Sequence, residues 1–166
     1  MVAILQNIRS LHNVGSIFRT ADAAGLAKLY LCGITPAPID RFGKVRPQLV
    51  KVALGAERYM PWEKVSGAAR LIDKLKNDGF KIFALEQSKK SIPYFKLKVS
   101  AKGGSALGGK SLKLKVALIV GNEVRGLPRT ILLKADKILE IPMRGRKESL
   151  NVAVAFGIVV FHLNNA

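Results

Sequence analysis

Apolar residues in this chain come in short runs, and each run ends on polar residues. Residues 2–5 read as a buried strand. Asn13 can then cap a helix, because Val14, Ile17, Phe18, Ala21 and Ala24 follow at spacings of three and four and form one core-facing stripe. Gly25 closes that helix, and residues 29–31 form the next strand. Residues 33–47 break the pattern with prolines and glycines, so they read as a loop carrying Arg41, Lys44 and Arg46 beside one acid, Asp40.

After a short segment to Tyr59, Pro61 and Trp62 introduce a helix in this reading. Its face is Val65, Ala68, Ala69, Ile72 and Leu75, and Gly79 stops it. A strand follows at 80–85. Residues 88–115 are irregular and basic, with six lysines and no acid from Lys96 to Lys115, as expected of a surface loop. Five apolar residues in a row at 116–120 suit a central strand covered on both faces. Another strand is expected at 138–141 and a last helix at about 150–163. That helix is apolar nearly all round, which fits either a covered core position or a subunit interface, and Gly157 would let a second element approach. The alternation predicts one α/β domain with a mostly parallel sheet flanked by helices.

Composition narrows the classes. A chain of 166 residues, 49% hydrophobic, suits one domain rather than two. No apolar run reaches the roughly 20 residues that a membrane span needs, and the start does not read as a signal peptide. Cys32 stands alone, so no internal disulfide is expected, and a reducing compartment is the simplest assignment. With His12 and His162 the only histidines, no metal site is expected. Twenty-eight Lys and Arg against eleven Asp and Glu give a net charge of +17, which points to a polyanion. Nucleic acid is favoured over a membrane, because no long basic amphipathic helix is present.

Candidate chemistry sits in three polar islands at the ends of apolar elements. The first is Asn13, Gly15, Ser16 and Arg19; Arg19 lies off the apolar stripe and is either a phosphate contact or an ordinary surface arginine. The second follows the central strand and runs from Gly121 through Asn122 and Glu123 to Pro128. Ligands of open α/β sheets bind beyond such strand ends, although Glu123 could equally be a solvated loop acid. The third spans 141–151, where Pro142 turns the chain out of the sheet and Ser149 or Asn151 can cap the last helix. No phosphate loop, dinucleotide-binding glycine pattern or nucleophile elbow occurs. His12 could line a site, Cys32 and Trp62 read as packing residues, and His162, ending the last helix, could sit at a subunit interface.

These islands carry a resemblance. NVGSIFRTADAAG at 13–25, LIVGNEVRGLP at 118–128 and IPMRGRKESLNVAVAFGIVVF at 141–161 match, in order, the three motifs of the SpoU/TrmH family of RNA ribose methyltransferases, within the SPOUT superfamily. ALGAE at 53–57 resembles the family segment between the first two. The resemblance covers nearly the whole chain. It implies one methyltransferase domain over 1–166 whose C-terminal part, about 116–166, forms a deep trefoil knot that binds S-adenosylmethionine. It also implies a homodimer through the knot and last helix. Periodicity shows no knot, and general topology rules argue against one.

By motif position, the resemblance places Asn13, Arg19, Glu123, Ser149 and Asn151 at the catalytic centre. Leu118, Ile119, Val120, Gly121, Asn122, Ile141, Met143 and Leu150 would form the cofactor cradle. The implied reaction is in-line attack of a ribose 2'-oxygen on the sulfonium methyl, which requires alignment and charge stabilisation rather than a metal. Arg19 would contact the target phosphate; a guanidinium is a poor base, so electrostatic activation is its more modest role. RNA, with tRNA favoured over rRNA, is the expected partner, in the cytoplasm and without a membrane. By this resemblance the chain is expected to lack the extra N-terminal RNA-binding domain that many larger family members carry. Capture would therefore fall to Arg41, Lys44, Arg46, the lysines of 96–115, Arg144, Arg146 and Lys147. The rival readings are a non-catalytic RNA-binding or assembly protein on the same scaffold, and methylation of a base.

Overall fold

The computed structural model describes residues 1–97 and 114–165. Lysines of the basic stretch between them fall outside the described residues. Seven strands form one sheet: β1 (Val2–Gln6), β2 (Lys28–Cys32), β3 (Trp62–Val65), β4 (Lys81–Leu85), β5 (Ile92–Pro93), β6 (Val116–Val120) and β7 (Lys137–Glu140). Their order is β3-β2-β1-β6-β4-β7-β5, and every strand pairing is parallel. The expected α/β class with a mostly parallel sheet is what the chain adopts.

Strand alternation builds two cores from single runs of sequence. Ala3, Leu5, Leu29, Leu31, Leu118 and Val120 face one side, while Val2, Ile4, Ala117 and Ile119 face the other. Helices α1 (Leu11–Ala23), α2 (Pro47–Ala53), α3 (Ala56–Tyr59) and α6 (Val152–Asn165) cover the first face. Helices α4 (Ala68–Asn77) and α5 (Arg129–Leu132) cover the second. Burial of β6 on both faces explains its unbroken apolar run, since all five residues are buried.

Three expectations need correction. Residues 62–65 are not the start of a helix: Trp62 pairs with Leu29 and Val65 with Cys32, making an edge strand. Sheet pairing outweighs local pattern there, and the helix begins only after the extended Gly67. Asn13 is not the cap of α1. Ser10 is, its hydroxyl accepting from the Asn13 amide at 3.2 Å, which moves Asn13 into the first turn. Residues 47–59, read as the end of a loop and a short segment with no element assigned, hold α2 and α3, with Pro47 in the first turn of α2 and Leu54 and Gly55 at φ 52° and 91° between the two helices.

The last helix resolves its apolar surplus into two sides. Phe156, Val159, Val160 and Leu163 are buried against the core, whereas Val154, Ile158 and Phe161 are exposed. Gly157 faces Thr20 of α1, and a Cβ there would sit 3.6 Å from the threonine methyl, an ordinary contact. Among the described residues no helix is long and apolar enough to cross a membrane.

The chain leaves β1 toward β2 and β3 on one side of the sheet, and leaves the neighbouring β6 toward β7 on the other. The carboxyl ends of β6, β4 and β7 therefore open onto the crevice where chains of this class leave room for a ligand.

Candidate active site

A cleft of about 430 Å³ lies at those strand ends, within the range of small-molecule sites. Leu85 ends β4, Val120 ends β6 and Ile141 follows β7, and these supply apolar walls together with Met143, Leu150 and Val152. The floor is the turn after β6. Asn122 pairs with Gly126, and the Asn122 side chain accepts from the Val124 and Arg125 amides while donating to the Asn7 carbonyl. Gly121 is pressed against this turn: a Cβ would lie 2.6 Å from the Gly126 carbonyl carbon, so only glycine fits.

At the rim, three distant segments meet in one hydrogen-bonded chain. The Glu123 carboxylate accepts from the Arg9 amide at 3.0 Å, the Ser10 amide at 3.0 Å and the Asn13 side-chain amide at 3.0 Å. Asn13 in turn accepts from the Asn151 side chain at 3.0 Å. Asn151 caps α6, its oxygen accepting from the Ala153 amide at 2.9 Å. Partial burial works to raise the Glu123 carboxyl, but the Arg9 and Ser10 amides and the Asn13 side chain outweigh it and hold its pKa below the ordinary value. The residue is thus a fixed anion that orders both the entry to α1 and the amide of Asn13.

The sequence-predicted residues separate into three groups. Asn13, Glu123, Ser149 and Asn151 line the cleft, as do Val120, Gly121, Asn122, Ile141, Met143 and Leu150. Leu118 and Ile119 do not; both are fully buried within the sheet and act from behind the wall. Arg19 is exposed on α1 and does not line the cleft, and its side chain makes no hydrogen bond or ion pair among the described residues. His12 is exposed and also outside the cleft. Cys32 is the expected strand-end core residue, and burial pushes its thiol pKa up to about 12. His162 packs edge-on to Tyr94.

The cleft also holds residues that sequence reasoning missed. Glu86 and Gln87 follow β4, with Glu86 accepting from the Leu127 amide at 2.7 Å and Gln87 donating to the Ile141 carbonyl at 2.9 Å. These two bonds tie the three strand ends together. The signal that could have found them was positional: the rule applied after residue 120 applies equally after residue 85. Glu86, Glu123, Glu140 and Glu148 all line the cleft, four of the eleven acids in a chain of net charge +17. Such a lining favours a cationic ligand inside an otherwise basic molecule.

Residues 1–161 match the profile of the SpoU rRNA Methylase family. A 23S rRNA (guanosine-2'-O-)-methyltransferase of Coxiella burnetii is 30% identical over 163 residues, which are 98% of this chain and 57% of that protein. The crystal structure of the A. aeolicus TrmH/SpoU tRNA modifying enzyme is similar with a TM-score of 0.79 at 29% identity, covering 99% of this chain and 73% of that one. An AdoMet-bound rRNA methyltransferase of Sinorhizobium meliloti has a TM-score of 0.80 at 29% identity, covering 99% of this chain and 55% of that one. The chain spans 57–63% of the length of the curated relatives compared with it. Matching nearly end to end, with all three polar islands gathered at one cleft or on the helix that frames it, the chain belongs to the SpoU family of RNA methyltransferases.

Proposed function

We propose that this protein transfers a methyl group from S-adenosylmethionine to a ribose 2'-hydroxyl of RNA, with tRNA the favoured substrate class over rRNA. The observation that carries the reading is the Asn13–Glu123–Asn151 chain, which joins three separate segments at the mouth of a ligand-sized cleft. A purely structural turn would not need an anion held among three donors beside an open cavity.

The cleft suits the methyl donor on its chemistry. Apolar walls at Leu85, Val120, Ile141 and Leu150 suit an adenine face, and the four glutamates suit the donor's sulfonium and ammonium. When bound, the donor supplies an electrophilic methyl with a built-in leaving group. The protein's part is alignment and electrostatics. Glu123 fixes Asn13, and Asn13 and Asn151 present a paired amide edge able to orient an incoming ribose. Gly121 lets backbone, rather than a side chain, border the donor.

Arg19 is the charge stabiliser in this reading, and its position decides how it acts. Six residues beyond Asn13, it is rotated about 120° away and about 9 Å along α1. We assign it to the cleft of a second copy, in a homodimer formed through the C-terminal region. The exposed Val154, Ile158 and Phe161 supply the apolar face. The single domain over 1–166, its knot at about 116–166 and a cytoplasmic location belong to the same proposal.

Label transfer tests it. Wild-type protein with tritiated methyl donor and RNA from undermodified cells should label the RNA. Arg19→Ala should lose about 100-fold or more in turnover while donor affinity, read by calorimetry, stays within about threefold. Unchanged turnover would remove Arg19 from the mechanism, and donor binding without any transfer would favour the non-catalytic RNA-binding reading.

A further inference from the structure

Outside the cleft, the most unusual surface is the loop after β2. Residues 38–46 form a small hairpin: Ile39 bridges Val45, the Asp40 amide donates to the Lys44 carbonyl at 2.8 Å, and the Arg46 amide donates to the Pro38 carbonyl at 2.9 Å. The Asp40 carboxylate accepts from the Phe42 and Lys44 amides at 2.8 and 2.9 Å, which fixes the tip from inside. Phe42 at that tip is 72% exposed, and the Arg41 guanidinium lies 4.7 Å from its ring centroid.

The base of the hairpin is pinned as firmly as its tip. Thr35 is fully buried; its hydroxyl accepts from the Ile8 amide and donates to the Leu5 carbonyl. Lys64 donates to the carbonyls of Gly33 and Thr35. The Ile34 amide donates to the Asn7 side chain, and the Asn7 carbonyl accepts from Asn122 on the cleft floor. The hairpin thus leaves the same edge of the sheet as the cleft, two strand spacings away, and is linked to it through one residue.

Free energy is gained if something covers the Phe42 ring that this hydrogen-bonded tip holds in water. Its neighbours decide what. Arg41 and Lys44 are exposed and cationic, so an anionic partner with flat apolar faces fits best. We infer that Phe42 is a base-stacking finger, packing against an unpaired nucleotide of the RNA substrate while Arg41 and Lys44 meet the flanking phosphates. Arg46 takes no part: it is half-buried with its Nε enclosed, beside Lys64, whose pKa is lowered chiefly by burial and further by the Arg46 charge. The inference rests on the RNA reading above and names the form of RNA recognised, single-stranded or looped rather than duplex.

Binding without a methyl donor tests it separately from catalysis. The probes are a fluorescein-labelled single-stranded 12-mer RNA and a 12-base-pair duplex of the same composition. Phe42→Ala should weaken binding of the single strand about 10-fold and of the duplex less than about twofold. Phe42→Leu should fail to rescue it, whereas Phe42→Trp should restore affinity and show emission quenched by the single strand. Donor affinity and thermal unfolding should be unchanged in all three. Equal affinity of wild type and Phe42→Ala for the single strand overturns the inference, as does equal weakening on the duplex. A drop in oligomer mass for Phe42→Ala with RNA affinity unchanged would assign the ring to a second copy and overturn it as well. Absence of label transfer by the wild type, with the stacking effect intact, would remove the catalytic reading and leave the finger standing.

Discussion

Glu123 gathers separate segments at the cleft through a single side chain. Its carboxylate is partly exposed, yet two backbone amides and the Asn13 side chain hold it ionised. Because its pKa is lowered on folding, the stabilisation is complete above the unfolded value of about 4.3 and disappears as pH falls through the folded value. Glu123→Gln should therefore destabilise by about 1 kcal/mol at neutral pH, below the usual worth of a buried charged hydrogen bond because solvent reaches the group. Chemical denaturation from pH 7 down to pH 3 should show the gap between the two proteins closing below about pH 4.3. A gap that stays constant across that range contradicts the assignment. Asn151 separates capping from site geometry. Asn151→Asp keeps the oxygen that caps α6 but loses the donor to Asn13. Stability should stay within about 0.5 kcal/mol, whereas Asn151→Ala should cost about 1 kcal/mol. Methyl transfer by Asn151→Asp should fall about 10-fold or more, since the paired amide edge is broken.

At the scale of elements, glycine positions tell apart close packing from mere freedom. Gly15 lies where α1 crosses α2, and a Cβ would stand 2.5 Å from the Leu49 carbonyl oxygen, against backbone that cannot step aside. Gly15→Ala should cost about 2 kcal/mol despite the better helix propensity of alanine, a drop of about 6 °C in Tm by calorimetry. Gly157→Ala, with only an ordinary contact to Thr20, should leave Tm within about 2 °C. The reverse order would show that the α1–α2 crossing is looser than the geometry indicates. The same scale shows what was legible in the sequence. Runs such as VALIV and the α1 stripe were legible because burial on both faces, or on one, writes itself directly into spacing. The 62–65 strand was not, since its Trp-Glu-Lys-Val pattern is decided by pairing with β2 at the sheet edge. Asn13, Glu123 and Asn151 were legible as residue types at element ends, but nothing in spacing revealed that they bond one another. Glu86 and Gln87 were missed because they sit in no glycine-rich or motif-like stretch, only at a strand end.

The whole molecule combines a basic exterior with an acidic cleft, and that division fits a cationic donor and a polyanionic acceptor meeting at one edge of a sheet. Within one chain Arg19 and the Asn13–Glu123–Asn151 cluster do not share the cleft, so the account requires two copies per working site. Mixing inactive Arg19→Ala with inactive Glu123→Ala and letting subunits exchange should recover about a quarter of wild-type turnover, because half the dimers are mixed and each has one intact site. No recovery, with exchange confirmed by mass, would place Arg19 in its own chain's site or outside catalysis. The most direct test of the central claim is the position of the transferred methyl group. RNA labelled from tritiated donor is hydrolysed with alkali, which cannot cut a linkage whose 2'-oxygen carries a methyl. The account predicts that the label is recovered in alkali-resistant dinucleotides; label recovered in mononucleotides would mean a methylated base and would contradict it.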